Sequence, residues 1–245
     1  MTKLVIVDVG AHEAQEFKAL FRLHFWNYFR NWLKHLNRVR RSGGNVCSLY
    51  RFTNLLSDAA WLKTERSSIY YILVEPNKRL FSLPIYAEAD MCANVALASE
   101  FNKVTLRKLY FANNENTGQG SSLFEEKPNV NLSDFDWVLS IDPEHFFLEL
   151  VKKIANHGDV NFILRLNNEG AEVEVIEAAR KVFGGNLVGI LGSLNDVEKV
   201  KGAAALQNLN KFISDQNIPF LPFHSDFATW PSALAFIRSA IVEYS

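Results

Sequence analysis

Cysteine is almost absent from this chain: Cys47 and Cys92 are the only two, far apart and without a CxxC pair. That usage excludes a disulfide scaffold, argues against a zinc site and suits a reducing compartment. A charge excess of one sign is lacking too. With 26 Lys and Arg against 27 Asp and Glu, the balance gives no global pull toward nucleic acid or an anionic membrane. No apolar run approaches the roughly 20 residues needed to span a bilayer, so no membrane span is expected. Apolar strand residues begin within a few positions of Met1, leaving no room for a secretory signal, and the expected location is cytoplasmic. His24, His35, His145, His157 and His224 show neither metal spacing nor an HExxH pair, so no metal is expected. Two phosphate-binding loops are missing as well. GxxxxGK[ST] occurs nowhere, and the positions where GxGxxG would need glycines hold His12 and Gln15.

What is present is an apolar, alternating chain. At 245 residues and 48% hydrophobic, it can bury a large core as one domain, 1–245. Strand-like and helix-like segments alternate, which predicts an α/β fold: a doubly wound, mostly parallel sheet with helices on both faces. Strands are expected at 4–9, 69–75, 89–97, 160–166, 186–192 and 218–223. Helices are expected at 13–41, 52–64, 142–156, 171–183, 196–215 and 231–242. Residues 103–123 read as a β-hairpin excursion carrying the polar loop 113–118. Asp142 and Pro143 make a helix start, with Asp as N-cap and Pro at the first helical position. No repeats occur, and no linker marks a second domain.

The most informative stretch is Val5-Ile-Val-Asp-Val-Gly-Ala11. A β-prone run reaches Asp8, a glycine turn follows, and a helical pattern begins, as in the first unit of a nucleotide-binding fold. Gly10 can adopt positive φ and let a ligand press on bare backbone. Asp8 can accept hydrogen bonds from a ligand or from nearby N–H groups. A second strand, Tyr70-Tyr-Ile-Leu-Val-Glu75, ends in another acid followed by Pro76 and Asn77. An acid at that place commonly grips ribose hydroxyls. With no pyrophosphate loop, the implied ligand is an adenosine without pyrophosphate, a description that S-adenosylmethionine fits.

These residues resemble the FkbM-type methyltransferases. Val7-Asp-Val-Gly-Ala-His12 is similar to that family's V-D-V-G-A-N, and Glu75-Pro-Asn77 to its E-P-N. Asn94-Val-Ala-Leu-Ala-Ser99 with Val104-Thr-Leu106 resembles a third segment, and Gly120-Ser-Ser-Leu123 a G-S-S-L stretch. Leu164-Arg-Leu-Asn-Asn-Glu-Gly-Ala-Glu172 is similar to L-K-I-D-x-E-G-A-E. The matches keep the family's order from residue 5 to about 190. Departures are Ala14 for the second glycine, His12 for Asn, Asn167 for Asp, and an extended basic and aromatic helical insertion around 13–66. The resemblance implies a Rossmann-like class I methyltransferase domain that takes S-adenosylmethionine. It implies a cofactor site of Asp8, Gly10, His12, Glu75, Pro76, Asn77, Asn94 and Val95, and a sugar or small-metabolite hydroxyl as acceptor.

Catalysis is expected at the end of the fourth strand. In an open parallel sheet the ligand crevice lies above the strand C-termini, so Asn167, Asn168 and Glu169 are expected to face the methyl group and acceptor. Glu169 could take a proton from an acceptor hydroxyl, with Asn167 beside it and Glu172 one helical turn on. The alternative is that Glu169 and Glu172 only favour the dipole of the helix that follows. Ser121 and Ser122 read as loop polars rather than substrate ligands. In the first helix Phe17, Phe21, Phe25, Tyr28, Trp32, Leu36 and Val39 recur at helical spacing, with Arg30, Lys34 and Arg38 on another face. Residues 1–45 hold eight Lys and Arg against three Asp and Glu. The helix is expected to pack its aromatics on the sheet, with a homodimer contact or a membrane-surface role as alternatives. The expected function is O-methylation of a small-molecule or glycan acceptor. The alternative is a non-catalytic nucleoside-binding protein, which Ala14 and Asn167 favour.

Overall fold

The computed structural model describes residues 2–22, 33, 37, 40–41, 56–57, 60–98, 103–113, 120–222 and 230–242. Strands run β1 (Leu4–Val9), β2 (Ile69–Val74), β3 (Met91–Ala93), β4 (Ala96–Leu97), β5 (Val104–Ala112), β6 (Val130–Ile141), β7 (Asn161–Leu166), β8 (Leu187–Gly192) and β9 (Phe220–Pro222). Six of them form one sheet in the order β3-β2-β1-β7-β8-β9, every adjacent pair parallel. The fold is therefore α/β and Rossmann-like. The chain builds outward from β1 in one direction and then, from β7, in the other. The order reverses between β1 and β7, which makes their C-terminal ends the place where such a sheet opens a crevice.

Period-two alternation explains why the sheet is covered on both faces. Val5, Val7 and Val9 join Leu164, Leu166 and Ile190 on one face, under Phe147, Leu150, Val175, Ile176 and Leu209 from the helices Pro143–Ile154, Glu172–Phe183 and Ala203–Asp215. Leu4 and Ile6 join Tyr71, Leu73 and Ile163 on the other, under Phe17, Leu20 and the helix Trp230–Val242. A strand buried on both faces reads as a continuous apolar run, and all six residues of β1 are buried.

Several expected elements change at identifiable residues. The stretch 89–97 is not one strand. Asn94 donates from Nδ2 to the carbonyls of Glu75 and Pro76 at 2.8 and 3.0 Å, which turns the chain so that β3 joins the main sheet and β4 a second one. That second sheet has the order β4-β6-β5. The excursion spans more than 103–123: β5 pairs antiparallel with β6, a twelve-residue strand beyond those expected from the sequence. The helix expected at 196–215 breaks at Gly202, whose φ is 86°, into Asn195–Lys201 and Ala203–Asp215. A short helix, Lys78–Phe81, follows Asn77, which caps it by accepting from the Arg79 N–H at 3.0 Å.

Of the first helix, the described residues include an α-helical turn at Gln15–Phe17 and a π-helical turn at Lys18–Arg22. There Phe17 and Phe21 do pack on Tyr71, with ring centroids 5.0 and 5.7 Å away. Most of the rest of the expected helix, with Phe25, Tyr28, Trp32 and the Arg30 face, lies outside the described residues, as does most of the polar loop 113–118. No helix among the described residues is long and apolar enough to cross a membrane.

Candidate functional site

A cleft opens at the C-terminal edge of the sheet, over the point where the strand order reverses. Counting its open mouth, it holds about 500 Å³ of empty space. Gly10 and His12 from the loop after β1, Glu75 and Pro76 after β2, and Asn167, Asn168 and Glu169 after β7 form its floor. Ala96, Leu109 and the segment Gly120–Leu123 supply the opposite wall. Loops gather here because each parallel strand delivers its following turn to the same edge of the sheet.

Gly10 is required by its own chain. Its φ is +74°, and a Cβ there would lie 2.1 Å from the carbonyl oxygen of Asn167. The close approach is thus by the loop after β7, whose Asn167 N–H donates to Val9 O at 3.0 Å. His12 and Ala14 also sit at positive φ, both 52°. This left-handed run is fastened by the Gly10 and Ala11 N–H groups, both donating to Val74 O at 3.0 and 3.1 Å, and by Tyr86 Oη donating to His12 O at 2.6 Å.

Glu75 is the carboxylate at the tip of β2, and it is buried. Its Oε2 accepts from the His12 N–H and its Oε1 from the Asn77 N–H, each at 2.8 Å. Burial pushes its pKa up to about 7 despite those two donors. Each oxygen keeps a further lone pair beyond the one it offers to its backbone donor. Asn77 and Asn94 do not line the cleft; they build it, one bonding Glu75 and capping a helix, the other turning the chain. Val95 belongs to the apolar core.

Asp8 is fully buried and does not line the cleft either. Strand parity turns it into a sheet face, where its register neighbour on β7 is Arg165. Arg165 Nη1 donates to Asp8 Oδ1 at 3.0 Å and to Gly10 O at 2.9 Å, while Nη2 donates to Glu16 Oε1 at 2.5 Å. Tyr71 Oη donates to Asp8 Oδ2 at 3.0 Å. Burial raises the Asp8 pKa to about 6, with Arg165 opposing that rise. This buried network supports the cleft floor from beneath, and neither Arg165 nor Glu16 stood out in the sequence. A charged pair flanked by apolar neighbours on two strands is the signal that could have marked it.

The three expected catalytic residues divide. Asn167 and Glu169 line the cleft, and Asn167 makes no side-chain hydrogen bond to another described residue. Glu172 is fully buried, and its carboxylate reaches back to accept from the Asn168 and Gly170 N–H groups, each at 3.0 Å. It ties the loop at the start of its helix, and burial lifts its pKa to about 7. Glu169 has φ 54°; its carboxylate is paired with Lys127, and its carbonyl accepts from Ser122 Oγ at 2.8 Å. Burial raises its pKa, opposed by Lys127. Lys127 was missed, because nothing in Glu-Glu-Lys-Pro distinguishes a buried lysine from a solvated one. Ser121 and Ser122, read as plain loop residues, line the cleft.

The lining carries two carboxylates, Glu75 and Glu169, and among the described residues no Lys or Arg. Such a wall offers acceptors and amide groups to hydroxyls and cations, and nothing that would neutralise a phosphate. Among the described residues, no group of three or more His, Cys, Asp or Glu could hold a metal ion. The chain matches no family model, no curated protein and no solved structure.

Proposed function

We propose that this protein is an S-adenosylmethionine-dependent methyltransferase of the FkbM type, acting on a hydroxyl of a sugar or small metabolite. One observation carries the reading: at the strand-order reversal, the cleft presents Glu75 at the tip of β2 and Glu169 after β7, with no cationic side chain in its described lining. A ribose needs an acceptor at the first of these places. A pyrophosphate would find no free cation in that described lining, Lys127 being already paired with Glu169. The ordered sequence motifs add the family.

When bound, S-adenosylmethionine supplies an electrophilic methyl group. Glu75 would hold the ribose hydroxyls through the lone pairs that the His12 and Asn77 N–H groups leave open. The Asn167 carboxamide would orient the acceptor hydroxyl, and Glu169 would be the group to take up its proton. Displacement at carbon needs chiefly alignment of donor and acceptor, which a cleft of fixed loops provides.

A second reading is a nucleoside-binding protein without catalysis. It is favoured by Asn167 standing where the resemblance has an aspartate, and by Glu169 already being paired with Lys127. Titration calorimetry and thermal shift test the cofactor. S-adenosylmethionine and S-adenosylhomocysteine should each bind, stabilising by about 2.7 kcal/mol at a hundredfold excess over Kd, whereas NAD and ATP should not. No shift with either adenosyl ligand at millimolar concentration would end this assignment. Methyl transfer to any acceptor in a screen of hydroxylated metabolites, lost in Glu169→Gln, separates the two readings.

A further inference from the structure

Lys127 is a lysine that solvent barely reaches: its side chain is 2% exposed. Lysine is almost never so buried unless its charge is met, and here three groups meet it. Nζ donates to Gly120 O at 3.0 Å, pairs with Glu169 Oε2, and lies 3.7 Å from Asp196 Oδ1. Lys199 Nζ, at 2.9 Å from the same Asp196 oxygen, closes the charge chain at the surface. The contacts join two parts of the molecule that share no strand pairing. Lys127 belongs to the segment between β5 and β6 that walls the cleft, and Glu169 to the loop after β7 that floors it.

Two further contacts converge on the same seam. Ser122 Oγ donates to the Glu169 carbonyl, and Phe124 lies against Gly170, where a Cβ would come within 3.0 Å of its ring. The Phe124 ring also sits beneath Arg107 and Lys201, 5.5 and 5.3 Å from its centroid. Those cations hold the segment to its own sheet and to a neighbouring helix, whereas Lys127 pairs with Glu169 itself. We infer that Lys127 is a positioning residue of the cleft: by pairing with Glu169 it fastens the wall Gly120–Val130 to the floor and fixes where the Glu169 carboxylate stands.

Removing Lys127 alone would leave Glu169 and Asp196 facing each other in a poorly solvated place, so the charge must be removed from both sides as well as from one. The variants are Lys127→Met, Glu169→Gln and the pair together, read by amide hydrogen exchange on the full chain. In the parent, the Ser122 N–H donates to Tyr110 O and the Phe124 N–H to Ser122 Oγ. Exchange at these two amides should quicken at least tenfold in each single variant, with Val5–Val7 and Ile163–Leu164 unchanged. The double variant should exchange no faster than the singles, because both remove one interaction. If Lys127→Met fails to fold, the double variant against Glu169→Gln decides.

Exchange within twofold of the parent, or single effects that multiply in the double variant, would overturn the inference. These readouts do not depend on which ligand the cleft takes. A ligand arm rests on the proposed cofactor: S-adenosylhomocysteine should bind the double variant about tenfold more weakly than the parent, and equal affinity also counts against a positioning role. If the parent does not bind that ligand, the cofactor reading fails while the exchange data still decide Lys127.

Discussion

Replacing Arg165 by Met would strand two buried carboxylates beneath the cleft floor. Its side chain is 6% exposed and lies between two carboxylates, Asp8 and Glu16, exposed by 0% and 3%. Methionine keeps much of the length and apolar contact but leaves both acids without a cation. Removing one partner from a buried ion pair costs about 3–5 kcal/mol, most of it from the charge left behind. The cost should depend on pH in a definite direction. Burial has already lifted Asp8 to about 6, and Arg165 is the group holding it down, so the variant carries Asp8 higher still. An acid whose folded pKa is raised binds more protons folded than unfolded, so stability falls as pH climbs from the unfolded pKa through the folded one. The deficit against the parent should therefore be smaller at pH 5, where Asp8 is neutral in the variant, and approach 3–5 kcal/mol at pH 8. Urea unfolding at both values, with unchanged slopes, measures it. A loss under about 1 kcal/mol at pH 8, or a larger loss at pH 5, would refute the reasoning. Adding Asp8→Asn and Glu16→Gln should recover part of the loss, because no orphan charge remains.

Two other outcomes follow from the same physics. Ribose hydroxyls donate best to an ionised Glu75, whose pKa stands at about 7, so S-adenosylhomocysteine should bind more tightly as pH rises from 6 to 8, by up to about tenfold across that range; calorimetry on Glu75→Gln should show weaker binding and a flat profile, and a parent profile already flat would remove Glu75 from the site. Glu172 is raised to about 7 by burial and so subtracts stability as pH rises from 4.5 to about 7. Glu172→Gln should lose about 1 kcal/mol at pH 5 by leaving one loop N–H without its acceptor, yet show a shallower fall of Tm toward pH 8, and an unchanged slope would mean the group titrates normally.

The layered sheet and the edge on which its cleft opens are legible in the amino acids alone. Leu4–Val7 is apolar at both parities, so its strand had to be covered on both faces, and strands of that kind alternating with helices leave a parallel sheet as the solution. Asp142, Pro143 and Asn77 act within a few residues of themselves. Helix caps and turns are local, which is why the helix beginning at Pro143 and the turn after β2 follow from the letters. Breaks were harder to see. Gly202 ends a helix whose apolar spacing continues on either side of it, and β6 carries Phe135, Trp137 and Leu139 in a strand's period-two alternation but on a face that is largely exposed rather than buried in a core.

What the charged residues do depends on strand order and register. Asp8 and Arg165 are 157 positions apart and meet because β1 and β7 lie side by side in a register that sets one opposite the other. A shift of one residue would turn them to opposite faces. Lys127 and Glu169, 42 positions apart, meet because the β5–β6 excursion folds back over the end of β7. Gly10 is bare for the sake of a neighbouring carbonyl that no local pattern announces. Apolar periodicity is written along the chain because the water it avoids is everywhere the same. A buried charge takes its role from the one partner that reaches it, and that partner is chosen by strand order and register.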